Sequence, residues 1–275
     1  MRVKKVLNNN AVVVIDGNEE KIAFGPGIAF QKKKHDIINR QKVEKLFVME
    51  EKERFQQLLL QIPEEHLDVS EQIISHAEES LGTKLNEHIH IALTDHLSFA
   101  IERAREGIHL QNKLLHEIKI LYKKEFEIGR WAIEYVHHQL GIEMRMDEAA
   151  YIALHIHTAK PHSRDIHETV KSTTMISDMV AIIKEYFGIS LEEQGIAYQR
   201  LLTHLRFSLT RVSAKEFHTM DPEMLDMIKK KFSLSYKCAK RVGKVLSRDY
   251  EIHISEEELG YITLHIERLQ KTEIG

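Results

Sequence analysis

A ten-residue segment occurs twice in this chain. Asp147-Glu148-Ala149-Ala150-Tyr151-Ile152-Ala153-Leu154-His155-Ile156 is matched by Glu257-Glu258-Leu259-Gly260-Tyr261-Ile262-Thr263-Leu264-His265-Ile266, at an offset of 110. His96-Leu97-Ser98-Phe99 with Arg103 recurs as His204-Leu205-Arg206-Phe207 with Arg211, at an offset of 108. Gly82 with Leu85 recurs as Gly188 with Leu191, at an offset of 106. The drift in offset implies two small loop insertions. The period is far too long for a solenoid, so the pattern is a duplicated domain of about 105 residues. Each copy reads as helical. Ile73, Ile74, Ala77 and Leu81 follow a helical spacing, as do Leu93, Leu97, Ala100 and Ile101, and again Leu114, Leu115, Ile118 and Leu121. Pro63, Pro161 and Pro222 punctuate these stretches.

Ahead of the repeat, up to about Glu50, the pattern is β. Val3 to Leu7 is a strand candidate that ends in the turn-prone Asn8-Asn9-Asn10. Ala11 to Ile15 is a β-branched run, closed by the hairpin signal Asp16-Gly17 and followed by Lys21 to Phe24. Gly25-Pro26-Gly27 breaks the chain, and Val43 to Met49 is a fourth strand candidate. The fold class is therefore α+β and multidomain: a small four-stranded antiparallel β domain at 1–56, then homologous all-α bundles at 57–168 and 169–275. Four short strands make a thin core that needs outside support. The single cysteine, Cys238, excludes an internal disulfide and reads as a small core residue, so self-association is the expected support.

Charge divides along the same boundary. Residues 1–55 hold 12 Lys+Arg against 8 Asp+Glu, and the remainder holds 27 against 34. A basic head on an acidic body directs the search for a polyanion partner to the head. There, Lys32-Lys33-Lys34 follows Phe30 and Gln31. A lysine run alone is usually a solvated face. Beside an aromatic ring and an amide it suits a nucleic acid with unstacked bases. No apolar run approaches the roughly 18 residues of a membrane span, and the N-terminus lacks a signal-peptide pattern, so a cytoplasmic protein is expected.

Eighteen histidines is a high count, and the duplication singles out four: His96 and His155, repeated as His204 and His265. An apolar-flanked histidine is more often a hydrogen-bonded core residue, and a duplication copies core residues too. Metal binding is disfavoured because Asp95 and Glu267, the neighbouring carboxylates, are matched by Thr203 and His157. General acid–base catalysis needs differentiated partners in a cleft, whereas two near-identical pairs look like two regulatory inputs. A histidine can also accept a phosphoryl group on nitrogen and so become strongly anionic. His88, His90, His137, His138 and His157 lack counterparts in the second copy and read as structural or solvent-facing.

These motifs together resemble one family. Asn8-Asn9-Asn10, Gly25 to Lys34, Asp95-His96 with Ser98 to Arg103, Ala153 to Ala159, Thr203 to Phe207, and Thr263 to Ile266 are similar to the transcriptional antiterminators of the BglG/SacY/LicT family, and within it to the sucrose-type SacT/SacY members. The resemblance covers essentially the whole chain. It implies a dimerising co-antiterminator RNA-binding domain and two PTS regulation domains. The RNA surface would comprise Lys5, Asn8, Asn10, Gly25, Pro26, Phe30 and Gln31. Pro26 stands where some members carry Arg, which keeps the turn but lacks a guanidinium. The partner would be an RNA hairpin in the leader of a sugar operon, whose formation excludes a terminator. A sugar-specific Enzyme II would place inhibitory phosphate on His96 and His155. HPr would place activating phosphate on His204 and His265. No cofactor, metal, catalytic residue or membrane insertion is implied. Opposite signs also fit the sequence neighbours, since Asp95 precedes His96 whereas Thr203 precedes His204 and Arg206 follows. Two alternatives remain open: a helical His-phosphotransfer enzyme, and a DNA-binding activator with the same regulatory modules. The head's lack of a helix-turn-helix pattern argues against the second.

Overall fold

The computed structural model describes residues 1–17, 19–48, 52–189, 195–214 and 219–273. Its head is an antiparallel sheet in the order β1 (Arg2–Val6), β2 (Ala11–Asp16), β3 (Glu19–Phe24) and β4 (Lys45–Phe47). Met49, the end of the fourth strand candidate, and Glu50 lie outside the described residues. Gly17 turns β2 into β3 at φ +67°, where a residue without Cβ is strain-free, and the hairpin closes on the Asp16–Glu19 pair.

Ala11 to Val14 are all buried, so β2 does not alternate between core and solvent. Both sheet faces are covered. Val3, Val12, Val14 and Ala23 pack under Ile28, Ala29 and Ile38 from the connection that follows β3. On the other face, Leu7, Ala11, Val13, Ile22, Phe24 and Phe47 meet four helical residues. These are Phe55 and Leu59 of α1 (Lys52–Gln61), Leu67 of α2 (Glu64–Leu81) and Ile91 of α3 (Ile89–Arg105). The support that the thin sheet requires thus comes here from helices of the same chain.

The two copies have the same five-helix order. The first has α2, α3, α4 (Leu115–Leu121), α5 (Lys123–Leu140) and α6 (Met146–Thr158). The second has α7 (Ile166–Phe187), α8 (Ile196–Ala214), α9 (Pro222–Lys231), α10 (Ser233–Tyr250) and α11 (Glu256–Glu273). The repeated glycines are helix ends. Gly82 caps α2 at φ +66°, and Gly188 follows α7 at φ +62°. Leu85 is buried, while Leu191 lies outside the described residues.

Two compact units emerge. One comprises residues 1–112 and 124–165, the other 113–123 and 166–275. In the first, α2 packs on α3 and α3 on α6. In the second, α8 and α10 pack on α11, and α7 on α8 and α10. Helix α4, which by sequence falls in the first copy, packs in the second unit against α7 and α8. Cys238 lies fully buried in that unit's core, where burial pushes its thiol up to about 12. Among the described residues, no helix is long and apolar enough to cross a membrane.

Candidate RNA interface and histidine sites

Two loops of the head are tied together by backbone. Gly25 N–H donates to the Asn10 carbonyl at 2.9 Å, and Ala29 N–H donates to the Asn9 carbonyl at 2.9 Å. Asn10 Oδ1 accepts from Gly27 N–H at 2.7 Å, and Asn8 Oδ1 accepts from Asn10 N–H at 2.9 Å. Gly25 cannot be replaced without a shift, because a Cβ there would lie 1.9 Å from the Lys42 carbonyl oxygen. Asn8, Asn10, Gly25, Pro26, Phe30 and Gln31 are thereby held on two adjoining loops. Lys5 stands exposed on β1, opposite Val13. Phe30 is 61% exposed, so its ring is presented to solvent rather than packed in the core. Pro26, Gln31, Lys33 and Lys34 are exposed beside it, and Gly25 and Asn10 are buried.

Sequence reasoning missed what faces the asparagines. Asn10 Nδ2 donates to both carboxylate oxygens of Asp68, at 3.0 and 3.1 Å. Asn9 N–H donates to Glu64 at 2.8 Å, and Asn8 Nδ2 to the Leu59 carbonyl at 3.3 Å. Burial raises the Asp68 carboxyl above its ordinary value, more than the bond from Asn10 lowers it. A second link joins β4 to α2 and α3: Lys45 and His90 both contact the buried Glu71 carboxylate, at 2.6 Å each. His90 is therefore structural, and so is His157, which meets Glu125 at 3.1 Å. Nothing in local sequence announces these pairs, which are 19 to 58 residues apart.

The duplication does bring its histidines together. His96 and His155, on α3 and α6, have ring centroids 4.9 Å apart with 37° between planes. His96 Nε2 lies 3.2 Å from Glu148 Oε2 without hydrogen-bond alignment, and Arg103 donates to the other oxygen at 3.1 Å. Burial alone would raise the Glu148 carboxyl, but His96 and Arg103 outweigh it and hold it below its ordinary value. Burial, with help from His96, pushes His155 down to about 3, so its ring is neutral near pH 7.

In the second copy, His204 and His265, on α8 and α11, are stacked at 3.7 Å and 16°. The equivalent carboxylate does something different here. Glu258 takes both bonds of a bidentate contact from Arg211, at 2.7 and 2.8 Å. Burial lowers His204, and Arg268, Arg211 and Arg200 lower it further. Burial and then His204 push His265 down to about 4. A cavity of about 240 Å³ opens at this pair.

The sequence neighbours are not the spatial ones. Residues one before or two after a helical position point to other faces. Asp95 is exposed, Thr203 Oγ1 bonds the Gln199 carbonyl, and Arg206 donates to the Leu121 carbonyl at 2.9 Å. The charge difference between the pairs is real, but Glu148, Arg200 and Arg268 carry it. Among the described residues, no group of three or more His, Cys, Asp or Glu side chains is placed to hold a metal ion.

A β head with an aromatic-bearing loop surface, joined to two copies of a helical module that each present a histidine pair, defines a modular nucleic-acid-binding regulator. Comparison with known proteins supports this class. The CAT RNA binding domain matches residues 1–56, and the PRD domain matches residues 71–159 and 177–269. "Transcription antiterminator LicT" of Bacillus subtilis (strain 168) is 38% identical over 276 residues, covering 98% of this chain and 99% of the relative. "Beta-glucoside operon antiterminator" of Dickeya chrysanthemi is 36% identical, covering 98% and 97%. The crystal structure of GlcT CAT-PRDI matches with a TM-score of 0.53 and 39% identity, over 57% of this chain and 96% of that one. The chain belongs to the family of transcription antiterminators that join a CAT RNA-binding domain to two PRD domains. Its function is RNA-binding antitermination, regulated through the PRD domains by the sugar phosphotransferase system.

Proposed function

We propose that residues 1–56 act as a homodimer on an RNA hairpin in a sugar-operon leader, and that Lys5, Asn8, Asn10, Gly25, Pro26, Phe30 and Gln31 form the contact surface. The helical copies, 57–168 and 169–275, receive phosphate. An Enzyme II phosphorylates His96 or His155 when the sugar is absent and thereby inhibits. HPr phosphorylates His204 or His265 and thereby activates. A C2 dimer presents two copies of every RNA contact, so phosphate acting on dimer geometry controls affinity without touching RNA. The protein is a cytoplasmic regulator and not an enzyme.

The observation that carries this reading is the pairing of half-buried imidazoles in both copies. A neutral ring offers a nitrogen lone pair that attacks phosphorus of the phosphorylated donor protein. The new P–N bond forms as the bond from phosphorus to the donor side chain breaks, and the leaving electron pair stays on the donor. His155 and His265, pushed down to about 3 and about 4, are held in that neutral form.

Two measurements test it. The full chain is titrated with the RNA hairpin and with duplex DNA of the same sequence, and preference for the duplex would overturn the RNA reading. In a terminator-reporter strain without inducer, His96→Ala and His155→Ala are expected to give readthrough. If both single variants stay off, the inhibitory sign is wrong.

A further inference from the structure

The second histidine pair stands at a cavity with no counterpart charge in the first. His204 and Arg200 lie four residues apart on α8, and His265 and Arg268 three apart on α11, so each pair shares a helix face. All four line the cavity, together with Ile196 and Leu269, and no carboxylate lies among its described lining residues. Two described acids nearby have partners outside the cavity. Glu258 gives both oxygens to Arg211, and Glu267 accepts from Ser235 Oγ at 2.8 Å. At the repeat offsets of 108 and 110, the positions of Arg200 and Arg268 are Ala92 and Thr158 in the first copy. There Thr158 Oγ1 bonds back to the Leu154 carbonyl of its own helix, and Glu148 approaches His96.

We infer that Arg200 and Arg268 form a phosphoryl-binding clasp at the second histidine pair, which holds the group once it is bonded to His204 or His265. This rests on the reading that the second pair is phosphorylated. At about 30 Å³ per water, a cavity of about 240 Å³ accommodates a tetrahedral phosphoryl group. A guanidinium is the side chain whose fork matches phosphate oxygens, and two on facing helices approach the group from both sides. The arginines already influence the unphosphorylated rings, since both depress His204 after burial has done so. A dianionic group in the same place reverses that effect into attraction. The clasp therefore joins α8 to α11 through phosphate, and the first copy has no equivalent.

The test uses the full-length chain with His96→Ala and His155→Ala, so that the first pair cannot be modified, and the second pair's phosphorus signals are identified as those lost when His204→Ala and His265→Ala are added. It is phosphorylated with potassium phosphoramidate, and the second ionisation of the bound phosphoryl group is followed by phosphorus NMR. Among the described residues, the arginines at the pair are Arg200, Arg268 and Arg211, and Arg211 binds Glu258. Replacing Arg200 and Arg268 by Gln is expected to raise the phosphoryl midpoint by about one unit, the scale of an opposite charge within contact range. Arg268→Lys retains the charge and restores part of the shift, which a purely structural role would not do. Both arginines are exposed, so their replacement leaves the core intact. Equal midpoints in the parent and the double Gln variant would overturn the clasp while leaving phosphorylation standing. Absence of phosphate from both His204 and His265 in the parent would remove the underlying reading and the clasp with it. Inorganic phosphate binding tighter than about 1 mM to a chain with His204→Ala and His265→Ala would assign the cavity to a free anion and overturn the covalent occupant.

Discussion

Acidification from about pH 7 to about pH 5 is expected to weaken the first helical copy by about 2 kcal/mol through His155 alone. The folded environment pushes this ring from 6.5 to about 3, by burial first and by repulsion from His96 second. In the unfolded chain the ring titrates at its ordinary value. Between the two values the unfolded state binds a proton that the folded state refuses. The stabilising contribution is therefore complete above about 6.5 and is lost as pH falls toward 3. At pH 5 the unfolded ring is about 1.5 units below its midpoint, and at about 1.4 kcal/mol per unit the loss is about 2 kcal/mol. His155→Asn removes the titration and keeps a polar side chain. The assay is urea denaturation of the full chain at both pH values, read by fluorescence of Trp131. That is the chain's single tryptophan, and it stacks on His76 of the same unit at 3.7 Å, so it reports the first copy. Other titrating groups are common to both proteins and cancel in the difference. If parent and variant lose the same stability between the two pH values, the ring is not held neutral by the fold.

Three further outcomes are expected. Burial works to raise Glu125, but His157 and Lys160 hold it down to about 2, so its contribution is present above about 4.5 and lost as pH falls toward 2. Glu125→Gln should therefore cost about 3 kcal/mol near pH 7 in the same Trp131 assay, and an unchanged midpoint would dismiss the pairing. Phe30→Ala should weaken hairpin binding by about 1–3 kcal/mol if a base stacks on the exposed ring, with undiminished affinity in a gel-shift titration as the contrary result. Asp68→Ala removes a carboxylate that occupies the Asn10 amide and repels RNA, so the same titration should show tighter binding. Weaker or equal binding would mean that the aspartate only positions the loop.

The duplication and the helix ends were legible because sequence records them locally. Gly82 and Gly188 recur for a backbone reason, and the histidines recur with their apolar flanks. The strands were legible from β-branched runs and from Asp16-Gly17. What covers the sheet was not. Phe55, Leu59, Leu67 and Ile91 look like ordinary helix core residues until the chain folds back on Val13 and Ile22. The place of α4 was equally hidden, because Ile118 and Leu121 keep the same helical spacing whichever bundle receives them. One trace of the difference does survive. In the second unit a Cβ on Gly260 would lie 2.9 Å from Leu225 of α9, and the first copy tolerates Ala150 at the equivalent position. The electrostatics of the two pairs were misread from neighbours in sequence, since charges across a bundle come from other helices.

The shared parts of the two copies differ by one change of partner, in addition to Arg200 and Arg268. Glu148 and Glu258 occupy equivalent positions, as do Arg103 and Arg211. In the first copy the carboxylate is divided between Arg103 and His96; in the second, Arg211 holds both oxygens. A phosphoryl group carries about −1.5 to −2 charges. Placed beside Glu148, within about 4 Å, it meets repulsion of about 4 kcal/mol per pair of unit charges at an effective dielectric of about 20. Inverting a two-state equilibrium from 1:99 to 99:1 takes about 5.5 kcal/mol. On the proposed reading, phosphate on the first pair would supply repulsion of the order needed to drive α3 and α6 out of the arrangement seen here, less what Arg103 offsets. Because α3 also carries Ile91 and His90 to the sheet and to Glu71, such a displacement would reach the RNA-binding head through packed side chains within one unit. Phosphate on the second pair would find arginines where the first has an acid, and would on the same reading tighten the existing packing of α8 on α11. On that reading one scaffold would answer the same modification with opposite signs.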